Sequence, residues 1–288
     1  MSTITDPALE LHSLFQRLDA HETNSQDQTH NVLRQIFTTG SSESDFLDVV
    51  SVIVRRIERL KKLVHHANGL DKLHRNSANS TLSQFQSIFT PDRFVSRWQD
   101  ARAVIQSNGN LHVLHFLSTE IRRIVKYGIP TTEERDEFVR QIDEVLKEPS
   151  HMEDVGADVV ISALRSLRFI LIKLEFFGVE ELSEKLGLLS AAYRAIIIRT
   201  ADPQNPQNLW KRWGQIGAII LAVADVIIVA DELPGALQNH YTRAAQIAHW
   251  VAEETLPLLP TPERPRLPAP QSGPPDGVLP KNEDDERG

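Results

Sequence analysis

The stretch WKRWGQIGAIILAVADVIIVADELPGAL, residues 210–237, contains the longest apolar run of the chain and decides which fold the rest can adopt. Between Ile216 and Ala230 the only charged residue is Asp225. This run of 15 residues is short for a membrane-spanning helix, which needs roughly 20. A central aspartate also costs about 2.5–3.5 kcal/mol in a bilayer. A helix buried in a protein core is therefore favoured over a helix that crosses a membrane.

Apolar residues in this region alternate at spacings of four and three, which is the periodicity of a helix with one buried seam. The seam consists of Leu209, Trp213, Ile216, Ile220, Val223, Ile227 and Ala230. Polar or small residues recur every seven positions on the opposite side, at Lys211, Ala218, Asp225 and Glu232. The pattern predicts a central helix whose thin polar edge meets water. If Asp225 were instead buried without a cationic partner, a membrane-active or switching helix would be favoured.

Helical seams of the same kind occur on the N-terminal side of this stretch. One consists of Phe46, Val50, Ile53, Ile57, Leu60, Val64 and Ala67, and another of Val160, Leu164, Leu167, Leu171 and Leu174. Helix starts are indicated by Asp6 before Pro7 and by the capping box of Thr131 with Glu134. The pattern also predicts a break at Gly178, where glycine interrupts the apolar periodicity.

Four further predictions concern the middle of the chain and the region after the opening stretch. Residues 70–80 are polar, which predicts a linker. Thr90 with Pro91 predicts the start of one helix that continues to about residue 107. Residues 111–127 follow as another helix that Gly128 closes. After the opening stretch, Pro234 and Gly235 make a tight turn, so residues 207–255 are expected to form an antiparallel helical hairpin.

These patterns together predict an all-α protein, a multi-helix bundle of about eight to ten helices. We expect an N-terminal helical region over 1–149 and a tighter C-terminal helical bundle over 150–256, because the apolar character of the helices rises after Pro149. Residues 257–288 are rich in proline and end in NEDDERG. That composition predicts a disordered, Pro-rich C-terminal tail.

Composition limits the function classes. The chain has 288 residues, 41% of them hydrophobic and 24% charged, and a net charge of −8, which is the balance of a globular protein and a poor match for nucleic acid as a whole. It has no cysteine, which excludes disulfides, thiolate metal sites and cysteine nucleophiles. The first residues carry no basic and apolar signal-peptide pattern. We therefore expect a cytoplasmic protein, with membrane association left open.

Motifs that carry chemistry are missing from the sequence. There is no phosphate-binding glycine loop, no dinucleotide fingerprint, no nucleophile elbow and no H-E-x-x-H. His112 and His115 lie three residues apart on a predicted helix, a spacing that can ligate a metal, but no third ligand is visible. The pair Glu148 and His151 encloses Pro149, which breaks the helix that a di-iron motif requires. We predict no cofactor, no metal site and no catalytic residue.

One basic stripe is a candidate face for an anionic partner. Its residues are Arg55, Arg56, Arg59, Lys62 and His66. Spacings of four and three place most of them on one line of a helix, where they can neutralise phosphates of a nucleic acid or an anionic membrane surface. The plainer interpretation is a solvated face, or one paired with acids of a neighbouring helix. Specific DNA binding is not expected, since no recognition-helix pattern accompanies the stripe.

The sequence leaves three functions open. The first is a non-enzymatic helical interaction, scaffold or regulatory protein with an unknown protein partner, which can also form a homo-oligomer through its heptad-like seams. The second is a membrane-acting effector that inserts the 207–255 hairpin, with Trp210 and Trp213 as interfacial anchors and Asp225 as the membrane or switch element. The third is an enzyme with an unrecognised helical active site. The first is favoured because no catalytic pattern stands out.

Overall fold

A computed structural model gives the fold for residues 3–38, 43–147, 157–200 and 207–227. Within these ranges the protein is all-α, with eleven helices and one two-stranded antiparallel ribbon. The helices are α1 Pro7–Ala20, α2 Thr29–Thr38, α3 Glu43–His66, α4 Lys72–Ser87, α5 Pro91–Phe94, α6 Trp98–Gln106, α7 Asn110–Ile121, α8 Thr132–Leu146, α9 Ala157–Ile172, α10 Leu174–Thr200 and α11 Gln207–Ile227. The strands are β1 Thr3–Thr5 and β2 Tyr127–Ile129. The predicted fold class is confirmed.

The predicted helix starts of α1 and α8 are confirmed. The Asp6 carboxylate accepts hydrogen bonds from the Ala8 and Leu9 amides at 3.0 Å. At α8 the Thr131 hydroxyl accepts from the Glu134 amide, and the Glu134 carboxylate accepts from the Thr131 amide. Each arrangement satisfies amides that lack an intrahelical acceptor. These caps fix where α1 and α8 begin, and both helix starts border the cleft described below.

Helix α3 lies inside the bundle and contacts α1, α2, α4, α7 and α10. All seven residues of its predicted seam are buried. Val49 and Val52 form a second buried apolar line beside the seam. Helix α3 therefore packs against neighbours on more than one side. Arg56 lies on this second buried line.

Two predictions about the middle of the chain are wrong. Residues 72–80 belong to helix α4, which Asp71 begins by accepting a hydrogen bond from the His74 amide at 2.8 Å. The predicted helix from Thr90 is two elements, α5 and α6. The amides of Thr29 and Trp98 donate to Ser96 and Asp27 carbonyls at 2.9 and 2.7 Å. These contacts to the segment before α2 hold the chain extended between α5 and α6.

The predicted helix over residues 111–127 is also shorter than expected. Helix α7 ends at Ile121, and the chain then forms β2, which pairs antiparallel with β1. Ile4 lies opposite Gly128 in this register. The ribbon depends on two segments more than 120 residues apart, so local periodicity could not reveal it.

Helices α9 and α10 pack side by side, and α10 also contacts α1, α3 and α11. The predicted break at Gly178 is confirmed, since this residue has φ 75° and ψ 165° inside α10. Helices from both sides of residue 149 thus share contacts, and the division of the chain into two regions stays a prediction. The expected turns and helix beyond α11, and the Pro-rich tail, lie outside the described residues.

Helix α11 contacts α8, α10 and β2. Its predicted seam is buried wherever its side chains are described, at Ile216, Ile220, Val223 and Ile227. Asp225 is exposed on the opposite edge, as the seven-residue pattern predicts. Among the helices in the described ranges, none combines the length and the apolarity that crossing a membrane requires.

Candidate functional site

Acidic residues of α10 face arginines of α3 along a charged seam, which comprises Arg55, Arg59, Glu180, Glu181 and Glu184. Arg55 donates from Nη2 to both carboxylate oxygens of Glu181, at 3.1 and 3.2 Å. Arg59 pairs with Glu184 and, at 3.5 Å, with Glu180. One helical turn separates the two arginines, and the same spacing separates Glu180 from Glu184, so the helices match in register. The seam joins the two helices.

The side chain of Arg56 points inward, which corrects its placement on the outward basic face. It falls on the second buried line of α3, and its side chain is only 5% exposed. Its guanidinium donates to the Glu10 carboxylate at 2.8 Å and to the Phe176 carbonyl at 2.6 Å. Arg56 thus ties α1 and the start of α10 to α3, and it is not available to an external anion.

Gly178 allows the backbone of α10 to approach this buried pair. Its φ of 75° is a conformation that L-residues rarely adopt. A Cβ atom at this position would lie 2.6 Å from a Glu10 oxygen and 2.7 Å from the Arg56 guanidinium carbon. The next amide, that of Val179, donates to Glu10 at 3.3 Å. Position 178 therefore favours glycine for two reasons, the left-handed backbone conformation and the lack of space for a Cβ atom.

Burial raises the pKa of two carboxyl groups, one in this pair and one on the neighbouring charged seam. Loss of hydration raises the pKa of Glu10, although the Arg56 charge and the Val179 amide act to lower it. Burial likewise raises the pKa of Glu180, with Arg59 acting in the opposite direction. Perturbed carboxyl groups next to a cleft are typical of binding sites as well as of structural ion pairs.

A cleft of about 530 Å³ opens where α1, β2, the start of α8 and the start of α10 meet. We call it the Arg135 cleft. Its lining includes apolar side chains of Leu9, Ile129 and Leu174 together with the guanidinium groups of Arg17 and Arg135. The buried edge of the Glu10–Arg56 pair also reaches it. An apolar cleft with a few convergent polar groups is the usual form of a small-molecule site.

A second feature is a group of rings on the surface of α1, α4 and α7. We call it the ring band, and it comprises His12, His74, His112, His115 and Phe116. The rings of His12 and His115 lie 5.6 Å apart, centroid to centroid. The rings of His74 and Phe116 lie 5.7 Å apart and are stacked. The two pairs meet α7 at consecutive positions, with His115 towards α1 and Phe116 towards α4.

The ring band includes the two histidines considered as metal ligands. His112 and His115 are both exposed on α7. Burial, followed by the charges of His115 and His112, lowers the pKa of His12. Within the described ranges, no cluster of three or more histidine, aspartate or glutamate side chains is arranged to hold a metal ion. The three imidazoles act on each other electrostatically without forming such a cluster.

The other predicted site residues occupy varied positions. Lys62 and His66 are exposed on α3. The arginines of the predicted anionic-partner face are paired with acids of this chain, so only part of that face is left for an external anion. Its binding to an anionic partner stays a prediction. The side chains of Trp210 and Trp213 lie outside the described part of the structure. Asp225 is exposed, so the condition that would favour a switching helix is not met. Insertion of the hairpin into a membrane also stays a prediction.

Comparison of the chain with protein-family models, with curated proteins and with solved structures found no significant match.

Several residues of the candidate sites were not singled out from the sequence. Glu10 is one of many carboxylates, and its partner Arg56 lies 46 positions later. Arg135 looks like an ordinary surface residue of α8. His12 and His74 join the ring band only because α1 and α4 flank α7. Helical periodicity is local and carries no signal for such long-range pairs. The sequence does show that His115 and Phe116 are adjacent on α7.

Proposed function

We propose that this protein is a non-enzymatic helical interaction protein that self-associates through the ring band. The observation that carries the proposal is the two ring pairs of the band, the half-buried His12 with the exposed His115, and the exposed His74 with the exposed Phe116, on three helices. Surfaces that bind proteins are enriched in aromatic side chains and depleted in charged residues at their centre. The ring band has this composition, because its members are four imidazole rings and one phenyl ring, and none of them is a carboxylate, a lysine or an arginine.

Large apolar side chains extend the band. Phe116 is 47% exposed, and Leu73, next to His74, is 75% exposed. Leu73 occupies the first turn of α4, where the helix has no buried residue before Ala78. These two exposed apolar side chains add apolar area that is buried when a partner covers it.

A second copy of the chain suits this surface for two reasons. A two-fold interface brings the same patch of each copy together, so the patch must be complementary to itself. Neutral imidazole carries one donor and one acceptor, and can therefore pair with another imidazole. The chain as a whole has a net charge of −8, so two copies repel each other least where formal charge is low. Asp71, which pairs with His74 at 2.9 Å, is the carboxylate at the edge of the band.

Light scattering coupled to size-exclusion chromatography at pH 7.5 tests the proposal. We expect a dimer, and we expect Leu73→Asp with Phe116→Asp to shift it to monomer at the same concentration. The control is Val159→Asp, which places a charge on α9 at a side chain that is 60% exposed and lies on a helix that packs against α8 and α10. A strictly monomeric wild-type protein contradicts the proposal, and so does a dimer that both aspartate substitutions leave intact.

A further inference from the structure

The Arg135 cleft has the size and shape of a site for one small molecule. Its volume of about 530 Å³ lies within the roughly 300–1,000 Å³ of small-molecule sites. The rigid start of α8, set by its capping box, forms one wall, and the ribbon strand β2 precedes it. The opposite wall is the face of α1 that carries Leu9 and Ser13. His12, which packs towards α7, does not line the cleft, so the cleft and the ring band are separate.

The apolar part of the cleft is formed by side chains from four elements. They are Leu9 and Leu14 of α1, Ile129 of β2, Pro130 before α8, and Leu174 of α10. Together they offer a surface on which an aliphatic chain or an aromatic ring is removed from water. Each methylene group of a ligand that is buried there adds favourable transfer free energy.

Of the three arginines that line the cleft, two are paired with carboxylates of the described residues and one is not. Arg56 is paired with Glu10 at 2.8 Å, and Arg17 is paired with Glu175 at 2.7 Å. Arg135 has no such carboxylate within the described residues. Its Nη2 atom donates a hydrogen bond to the Thr132 hydroxyl at 3.2 Å.

The guanidinium of Arg135 also has an unused donor. Its Nε atom is buried and has no hydrogen-bond partner among the described residues. A buried donor without an acceptor is costly, because it has lost its hydration and gained no hydrogen bond. The fork of a guanidinium matches the two oxygens of a carboxylate or a phosphate. An oxyanion in the cleft would supply the acceptor that Arg135 lacks.

We infer that the Arg135 cleft binds a small amphiphilic anion, with its carboxylate or phosphate head on Arg135 and its apolar body against Leu9, Ile129 and Leu174. The head group and the apolar body are both required, because the cleft offers one unpaired cation beside a mainly apolar wall. The site lies apart from the ring band and does not depend on self-association.

Calorimetric titration of the full chain tests the inference with four probes. Octanoate and phenyl phosphate carry both features and differ in the head group. Octanamide keeps the apolar body without the charge, and inorganic phosphate keeps the charge without the body. We expect saturable binding of at least one of the first two probes, and affinity at least about tenfold weaker for octanamide and for inorganic phosphate.

Substitutions locate the site. Arg135→Gln is expected to weaken binding of the bound probe by about tenfold or more. Arg140→Gln is the matched control, because Arg140 lies on the same helix and pairs with Glu137 and Glu144 outside the cleft. Ser13→Trp is a second variant, which fills the cleft from the exposed face of α1 and leaves Arg135 intact. Melting curves establish that each variant is folded.

The outcomes that support the site differ from those that overturn it. Loss of binding in both Arg135→Gln and Ser13→Trp, with Arg140→Gln unchanged, supports the site. The inference is overturned if the wild-type chain binds neither anion, if octanamide binds as tightly as octanoate, or if both cleft variants bind like the wild type. Since the ring-band variant Phe116→Asp leaves the cleft intact, its binding of the probes is expected to match the wild type whether or not the protein is a dimer.

Discussion

Gly178 has φ 75° and ψ 165°, and the place where its Cβ would be is occupied by the ion pair of Glu10 and Arg56. Substitution of Gly178 by alanine therefore strains the backbone and also displaces buried charged groups. Strain of this kind costs about 1–3 kcal/mol by itself. We expect Gly178→Ala to lower the free energy of unfolding by more than about 2 kcal/mol, measured by urea denaturation.

Gly187 provides the control on the same helix. It lies in the regular part of α10, and an added Cβ would meet no atom within 4 Å. Alanine in a helix interior is more stable than glycine by about 0.5–1 kcal/mol, so Gly187→Ala is expected to stabilise the protein. Equal effects of the two substitutions would show that Gly178 has no special role. The sequence identified Gly178 as a helix breaker, but the ion pair that requires it became visible only in three dimensions.

The contact of α1, α3 and α10 depends on Arg56. Its removal leaves Glu10 buried without a counter-charge and the Phe176 carbonyl without this donor. Breaking one side of a buried ion pair costs about 3–5 kcal/mol. We expect Arg56→Met to destabilise the protein by this amount at pH 7, and the double variant Glu10→Gln with Arg56→Met to be more stable than the single one. Thermal or urea unfolding of the three proteins provides the comparison.

The pH dependence of this variant has a definite sign. Burial raises the pKa of Glu10 above 4.5 even with Arg56 present, so the folded state holds the proton more tightly than the unfolded state does. Stability from Glu10 is therefore lost as pH rises from 4.5 through the raised pKa. Without Arg56 the pKa rises further, and the cost of Arg56→Met is expected to be smaller at pH 5 than at pH 7. A cost that does not change with pH would contradict this account.

The individual helices show which elements local patterns can predict. Caps and apolar seams are local, and they placed α1, α3 and α8 closely. Helix α4 was missed because its first residues are polar and its buried face begins only at Ala78. The ribbon of β1 and β2 and the inward position of Arg56 were missed for a different reason: each is set by a partner that is distant in sequence.

At the scale of the whole molecule, α1 links the two candidate sites. Its Leu9 and Ser13 line the Arg135 cleft, whereas His12 packs towards His115 of α7. The sequence predicted an interaction protein from its helical seams, but those seams are buried in the bundle, and the exposed features are the ring band and the cleft. Both are assembled from several helices, so neither could be read from one stretch of sequence.

The pH dependence of global stability tests the surroundings of His12. Burial, and then the charges of His115 and His112, lowers its pKa from 6.5, and no carboxylate is among the groups that act on it. The unfolded state thus binds the proton more tightly, and stability is lost as pH falls below 6.5 towards the lowered pKa. We expect His12→Gln to reduce the fall in the urea midpoint between pH 7.5 and pH 5.5. His66→Gln, on the exposed end of α3, is expected to leave it unchanged, and equal slopes for wild type and His12→Gln would mean that His12 stays solvated like a free imidazole.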